Sequence, residues 1–134
     1  MTDVFEMKLI EIQPSQLYIS KSKLEAVNST FKSDNKKSLG IIPVKELDGE
    51  IIFVDGHTRA LAAYLANYET ILVEWETEDL DWEMYQICVQ WCKTDKIYSI
   101  ADLKNRIINH SDYEILWYKR CNSLHQELLD NRSK

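Results

Sequence analysis

Ile51-Ile52-Phe53-Val54-Asp55-Gly56-His57-Thr58-Arg59-Ala60-Leu61-Ala62-Ala63-Tyr64-Leu65 is the stretch on which the reading of this chain turns. Four β-favouring apolar residues run into a polar turn, and Leu61, Tyr64, Leu65 and Tyr68 then recur at helical spacing. The pattern predicts a buried strand ending at Val54 and a helix packed on the sheet, with Asp55 as its N-cap. The first turn of such a helix has free N–H groups and the positive end of the helix dipole, a setting suited to an anion. Gly56 admits close backbone approach. Thr58 offers a hydroxyl, Arg59 a planar fork of donors for phosphate oxygens, and His57 a titratable ring. The plainer alternative is a capped helix start, with Asp55 paired to Arg59 at i,i+4 and His57 tucked against the sheet.

Upstream, Ile41 to Glu46 and Glu50 to Val54 are β-runs flanking Leu47-Asp48-Gly49, and Asp-Gly at that point signals a hairpin. Glu6 to Ile12 alternates polar and apolar residues as a half-buried strand does, and Pro14 ends it. Ser22 with Glu25 forms a capping box for a helix from about Lys23 to Phe31, whose inner face is Leu24, Val27 and Phe31. The polar run from Lys32 to Ser38 reads as a loop whose lysines, Lys32, Lys36 and Lys37, are either solvated or folded over the Asp55 turn. Downstream, Glu69 to Trp75 is a further strand.

The 134 residues are 45% apolar and carry a net charge of −6. A basic surplus is missing from both halves: residues 1–76 hold eight basic and twelve acidic side chains, residues 77–134 eight and ten. Such a balance does not favour DNA as a partner, though a local basic patch is compatible with it. No apolar run spans a membrane and the N-terminus lacks a secretory signal. Three cysteines without a disulfide-like framework suit a reducing cytoplasm.

Pro43-Val44, the hairpin, Val54-Asp55-Gly56-His57-Thr58-Arg59-Ala60 and the strand at Ile71 together resemble the ParB/sulfiredoxin superfamily, over about residues 7–76. The most specific part is Gly56-x-x-Arg59 at a strand–helix junction after a hairpin. In ParB-type proteins the equivalent segment cradles the triphosphate of CTP; in sulfiredoxins and free serine kinases it holds the phosphates of ATP or ADP. The resemblance therefore implies an α+β fold, a small mixed sheet with flanking helices. It makes Gly56, His57, Thr58 and Arg59 the nucleotide contacts, and Asp55 a metal- or proton-handling group.

Departures from the family pattern narrow the chemistry. A sulfiredoxin places its cysteine nucleophile where this chain has His57, so sulfiredoxin chemistry is excluded. The serine kinases share the Asp-Gly-His-x-Arg turn but place a catalytic glutamate in the loop that here reads Pro14-Ser15-Gln16-Leu17, and Gln16 cannot act as a base. Asp55 and Glu25 are the nearest carboxylates in its stead. ParB proteins have a glutamate and an arginine where His57 and Thr58 stand, and continue into a helix-turn-helix.

Residues 77–134 read as a helical extension of three helices. Glu76 to Glu83 is acidic, a solvated linker or a place where carboxylates gather a metal. A helix from about Leu80 to Lys93 stacks Met84, Tyr85, Cys88, Trp91 and Cys92 on one face. Ser99 with Asp102 starts a second, carrying Ile100, Leu103, Ile107 and Ile108. Ser111 or Asp112 starts a third, with Tyr113, Leu116, Trp117, Cys121, Leu124 and Leu128 inward. Cys88/Cys92 and Cys121/His125 have the i,i+4 spacing of zinc ligands, although buried core cysteines give the same pattern. The last two helices around Asn109-His110-Ser111 pass for a helix-turn-helix, but the second opens with Asp112 and Glu114, which repel phosphates.

The function expected is binding of a nucleotide (ATP, ADP or CTP) or a phosphorylated small molecule at the Asp55–Arg59 turn. Mg²⁺-dependent phosphoryl transfer or nucleotide hydrolysis is a possible sequel, with His57 or Asp55 handling the proton. The alternative is a non-catalytic, DNA-associated or protein-interaction module of the same fold, meeting a protein partner through the helical extension.

Overall fold

The computed structural model describes residues 3–31 and 35–134. It is an α+β structure built on a four-stranded mixed sheet. The strands are β1 (Val4–Lys8), β3 (Ile42–Leu47), β4 (Glu50–Phe53) and β5 (Thr70–Trp75), in the order β1-β5-β3-β4. β5 runs antiparallel to β1 and parallel to β3, and β3 is antiparallel to β4. A separate two-stranded parallel pair joins β2 (Ile19–Ser20) to β6 (Ile107–Ile108).

The predicted hairpin is present. Asp48 and Gly49 both adopt positive φ, 53° and 84°, which gives the tight turn the twist that its strands need. β3 carries Pro43 in the interior of the sheet, and the ladder records the missing donor. Val54 N–H donates to Pro43 O (3.1 Å), and a reciprocal bond to Val54 O would need the N–H that proline lacks. Tyr85 supplies it instead, its hydroxyl donating to Val54 O at 3.0 Å. The sheet thus ends at Val54 with no orphaned carbonyl, and the chain is released into the turn.

The helices are α1 (Lys21–Thr30), α2 (His57–Leu65), α3 (Trp82–Thr94), α4 (His110–Tyr113) and α5 (Lys119–Arg132), the last two joined by a π turn over Glu114–Tyr118. α1 is capped by Ser20, whose hydroxyl accepts from Lys23 N–H, rather than by Ser22. The first strand is shorter than its alternation suggests, because Leu9–Glu11 coils into a 3-10 turn. Asn35 caps another 3-10 turn, Lys36–Leu39, so the second half of the expected loop is regular, while Lys32 lies outside the described residues.

The C-terminal half departs further from expectation. Of the three helices predicted there, the middle one is a 3-10 segment, Ile100–Asn105, followed by β6. Asp102 does accept from Ser99 N–H as its capping role requires, but the unsatisfied edge of β2 draws Ile107 and Ile108 into extended pairing. A strand in that place removes the helix-turn-helix. The acidic linker is a clasp: Asp81 caps α3, and Arg132 at the chain's far end pairs with Asp81 (2.8 Å) and Glu83 (2.7 Å).

One apolar cluster runs from Leu9 through Leu61 and Ile71 to Trp117 and Leu128, so the halves divided at residue 76 share a core. Polar ties cross the same line. Gln13 donates to Ile97 O (2.9 Å), Arg106 to Leu17 O (2.6 Å), and Ser20 meets His110 Nδ1 at 2.9 Å. Among the described residues no helix is long and apolar enough to cross a membrane.

Replacing Tyr85 by Phe leaves Val54 O unpaired and should lower the unfolding free energy by about 1–2 kcal/mol in urea titrations. In a Pro43→Val background, where a backbone N–H is restored beside Val54 O, the same replacement should cost measurably less.

Candidate functional site

All five residues singled out in the turn, Asp55 to Arg59, line one cavity of about 360 Å³. Gly56, not Asp55, is the N-cap of α2. It sits in the left-handed region (φ 80°, ψ 19°), and no side chain caps the helix. Asp55 fails as a cap because its Oδ1 accepts from the very next N–H, that of Gly56, at 2.7 Å. α1, α3 and α4 each begin under a side-chain cap, from Ser20, Asp81 and Asn109. α5 continues from the π turn and needs no cap, whereas the first turn of α2 follows a non-helical turn, has no side-chain cap and opens on the cavity.

Glycine is required at position 56. A Cβ there would lie 3.0 Å from Arg59 Nη2 and 3.1 Å from Ile42 Cγ2, on a backbone that L-residues rarely adopt. Asp55 and Arg59 do not pair. The Arg59 guanidinium folds back over Gly56, and its Nη1 reaches the carbonyls of Leu39 and Ile41 at 3.4 Å each, long and weak bonds. Asp55 is exposed on the cavity rim; Thr58 and Arg59 are half-buried.

His57 is buried, only 4% exposed, against Phe53. Its Nε2 accepts from the Ser15 backbone N–H at 2.9 Å, while Ser15 Oγ donates to Phe53 O at 2.7 Å. An acceptor Nε2 puts the ring proton on Nδ1. Burial lowers the pKa of His57 to about 4, against a smaller opposing effect of the Asp55 charge. The ring is therefore neutral near pH 7 and its basic nitrogen is already bonded. As placed, His57 orients the loop at Ser15; it is not poised to take a proton.

Other walls of the cavity come from residues that motif reading passes over. Lys23 of α1 contributes a second cation, held over the rings of Tyr113 and Tyr118 (5.3 and 4.9 Å) and hydrogen-bonded to the Tyr118 hydroxyl. Gln16 donates to Tyr18 O and to the Tyr113 hydroxyl, 3.0 Å away. The only local sequence signal for Lys23 is its position one turn before Val27, on the helix face that also lines the cavity. Lys37 is exposed and lines a different hollow, beside Val4 and Leu72. Glu25 is exposed and outside the cavity wall.

Beyond His57 and Gln16 lies a second chamber of about 210 Å³, walled by Val54, Met84, Tyr85, Cys88, Trp117 and Cys121. Of the i,i+4 pairs with zinc-ligand spacing, Cys88 and Cys121 share this chamber, but their partners do not join them. Cys92 bonds Gln16 O at 3.5 Å, His125 is exposed, and among the described residues no three His, Cys, Asp or Glu side chains form a metal-binding group. The acidic linker residues Asp81 and Glu83 are engaged by Arg132.

No protein-family model matches this chain, and no curated protein matches it significantly. Among solved structures it is similar in fold to protein Atu1540 from Agrobacterium tumefaciens, with a TM-score of 0.52 at 16% identity. The match covers 77% of this chain and 62% of that one.

A lowered histidine pKa has a definite signature in stability. Between its ordinary value of 6.5 and about 4 the unfolded chain binds a proton at His57 that the folded chain does not. Its contribution is thus complete above about pH 6.5 and declines by about 1.4 kcal/mol per pH unit on acidification toward pH 4. Urea unfolding across this weakly acidic range should show that slope, and His57→Phe should flatten it, whatever the variant's absolute stability.

Proposed function

We propose that the protein binds a nucleotide or another phosphorylated small molecule in the cleft at Asp55–Arg59, with phosphate oxygens seated on the N-terminus of α2. The observation that carries this reading is the uncapped, glycine-led helix start facing a 360 Å³ cavity to which both Lys23 and Arg59 contribute. Backbone N–H groups, a helix dipole and two cations converge there, a combination suited to a polyanion. The resemblance of Gly56-x-x-Arg59 and its hairpin to the ParB/sulfiredoxin superfamily supports the same ligand class, ATP, ADP or CTP.

Binding is favoured over turnover. With His57 neutral and its Nε2 bonded, Asp55 is the remaining group on the cavity wall able to accept a proton. A Mg²⁺ ion accompanying the phosphates would meet Asp55 as the one carboxylate among the described residues of the wall, which suits an ion held mainly by phosphate and water. The three unpaired cysteines suit a reducing, cytoplasmic setting.

Thermal-shift titrations with ATP, ADP, CTP and GTP, each with Mg²⁺, test the reading. A ligand at a hundredfold its Kd adds about 2.7 kcal/mol of stability, enough for a clear rise in Tm. Arg59→Ala and Lys23→Ala should each weaken binding by about tenfold or more, about 1.4 kcal/mol. Absence of any shift with all four nucleotides and with inorganic pyrophosphate would overturn the proposal.

A further inference from the structure

Cys88 of α3 and Cys121 of α5 are 33 positions apart in sequence yet line the same chamber beside His57. We infer that these two thiols are an oxidation site, closing to an intramolecular disulfide that ties α3 to α5 across the chamber. This oxidation does not depend on whether phosphate binds at the neighbouring turn.

Geometry comes first. α3 and α5 pack directly against each other, and both cysteines line a chamber spacious enough to admit a peroxide molecule. Cys121 is half-buried and therefore reachable, whereas Cys88 is buried behind it. The third cysteine supplies an internal contrast. Cys92 is fully buried, donates to Gln16 O, and does not line the chamber.

The electrostatics divide the labour between the pair. The neighbouring Cys88 thiol lowers the pKa of the Cys121 thiol, and the Arg120 charge adds to this against the opposing effect of burial. The same proximity, reinforced by burial, holds the Cys88 thiol up. Burial also pushes Cys92 up to about 12. Thiolate is the reactive form and an oxidant must reach it, so Cys121, half-buried where Cys88 and Cys92 are buried, is the nucleophile of the three.

With hydrogen peroxide as oxidant the steps balance. The Cys121 thiolate attacks one peroxide oxygen, the O–O bond breaks, and the products are a Cys121 sulfenic acid and hydroxide, which takes up a proton to become water. Cys88 then attacks the Cys121 sulfur, the S–O bond breaks, and the proton leaves with the hydroxide as a second water. Two electrons pass from the two thiols to one peroxide.

The test uses the whole chain. The protein is treated with equimolar hydrogen peroxide, alkylated, and digested without reductant for peptide mass mapping. The expected result is the loss of two hydrogens per chain, a linked peptide pair containing Cys88 and Cys121, and Cys92 recovered alkylated. In Cys88→Ser, dimedone should trap a sulfenic acid at Cys121 and no linked pair should form. Dithiothreitol should restore all three thiols. The proposal is overturned if all three thiols survive peroxide, if Cys92 is consumed as fast as Cys121, or if Cys121 runs on to sulfinic acid unlinked. Linkage between two chains in place of the internal pair would overturn it as well. Peptide mapping of the unmodified sequence decides these outcomes even should the serine variant fold poorly.

Discussion

A neutral imidazole accepting one backbone N–H holds this molecule's two halves in register. His57 opens α2, and its Nε2 fixes Ser15, whose hydroxyl in turn holds Phe53 O at the end of β4. The next residue, Gln16, reaches Tyr113 with its amide and receives Cys92 at its carbonyl. Through three consecutive links the turn is tied to α3 and to α4. Burial makes the neutral state of His57 obligatory, because a charged ring would have no solvation and could not accept from Ser15. What sequence presents as a helical annex is, by these bonds, the far wall of the site.

The turn itself depends on two residues that withhold something. Pro43 withholds an N–H, so the β3–β4 ladder stops at Val54 and Tyr85 of α3 completes it. Gly56 withholds a Cβ, which lets the chain pass through the left-handed region and lets Arg59 and Ile42 close over it. The carboxylate that propensity would place over the helix N-terminus is drawn back onto the Gly56 N–H. The first turn of α2 is left without a side-chain cap as a direct result. Strand ending, turn geometry and open helix start are thus one connected arrangement.

Much of this was legible in the residues. Asp48-Gly49 specified the hairpin, and the run from Ile51 to Leu65 specified strand, turn and helix, because those signals are local. Asp55 to Arg59 do share a cavity, since five consecutive residues at a strand–helix junction can hardly do otherwise. The cap was misassigned for a local reason that propensity averages over: an Asp beside a Gly can satisfy the nearer donor. The apolar spacing of Ile100–Ile108 fits a helix, whereas pairing with the buried strand Ile19–Ser20 draws Ile107 and Ile108 out of it. Lys23 and Tyr113 carry no local mark of a site residue, and for Gln16 only the family resemblance points to its loop. Gln16 meets Tyr113 across 97 positions, and no spacing rule reaches that far.

Leu116 shows how a small irregularity at the annex reaches the site. The periodicity counts it inward with Tyr113 and Trp117, yet it is 44% exposed while they are 3% and 7%. In a regular α-helix each residue advances by about 100°, so Leu116 would stand only about 60° off the direction of Tyr113. The π turn over Glu114–Tyr118 reduces the advance to roughly 80° per residue and swings Leu116 more than about 100° away. Trp117 stays within about 40° of Tyr113 in either geometry. The extra residue therefore discards a leucine from the inner stripe without losing the aromatic pair. That matters because the pair serves two spaces: Tyr113 walls the cavity at the Asp55 turn, and Trp117 walls the chamber of Cys88 and Cys121. A leucine kept inward between them would occupy the angle from which both rings are now packed, so the widened turn is what allows one helix to border both spaces.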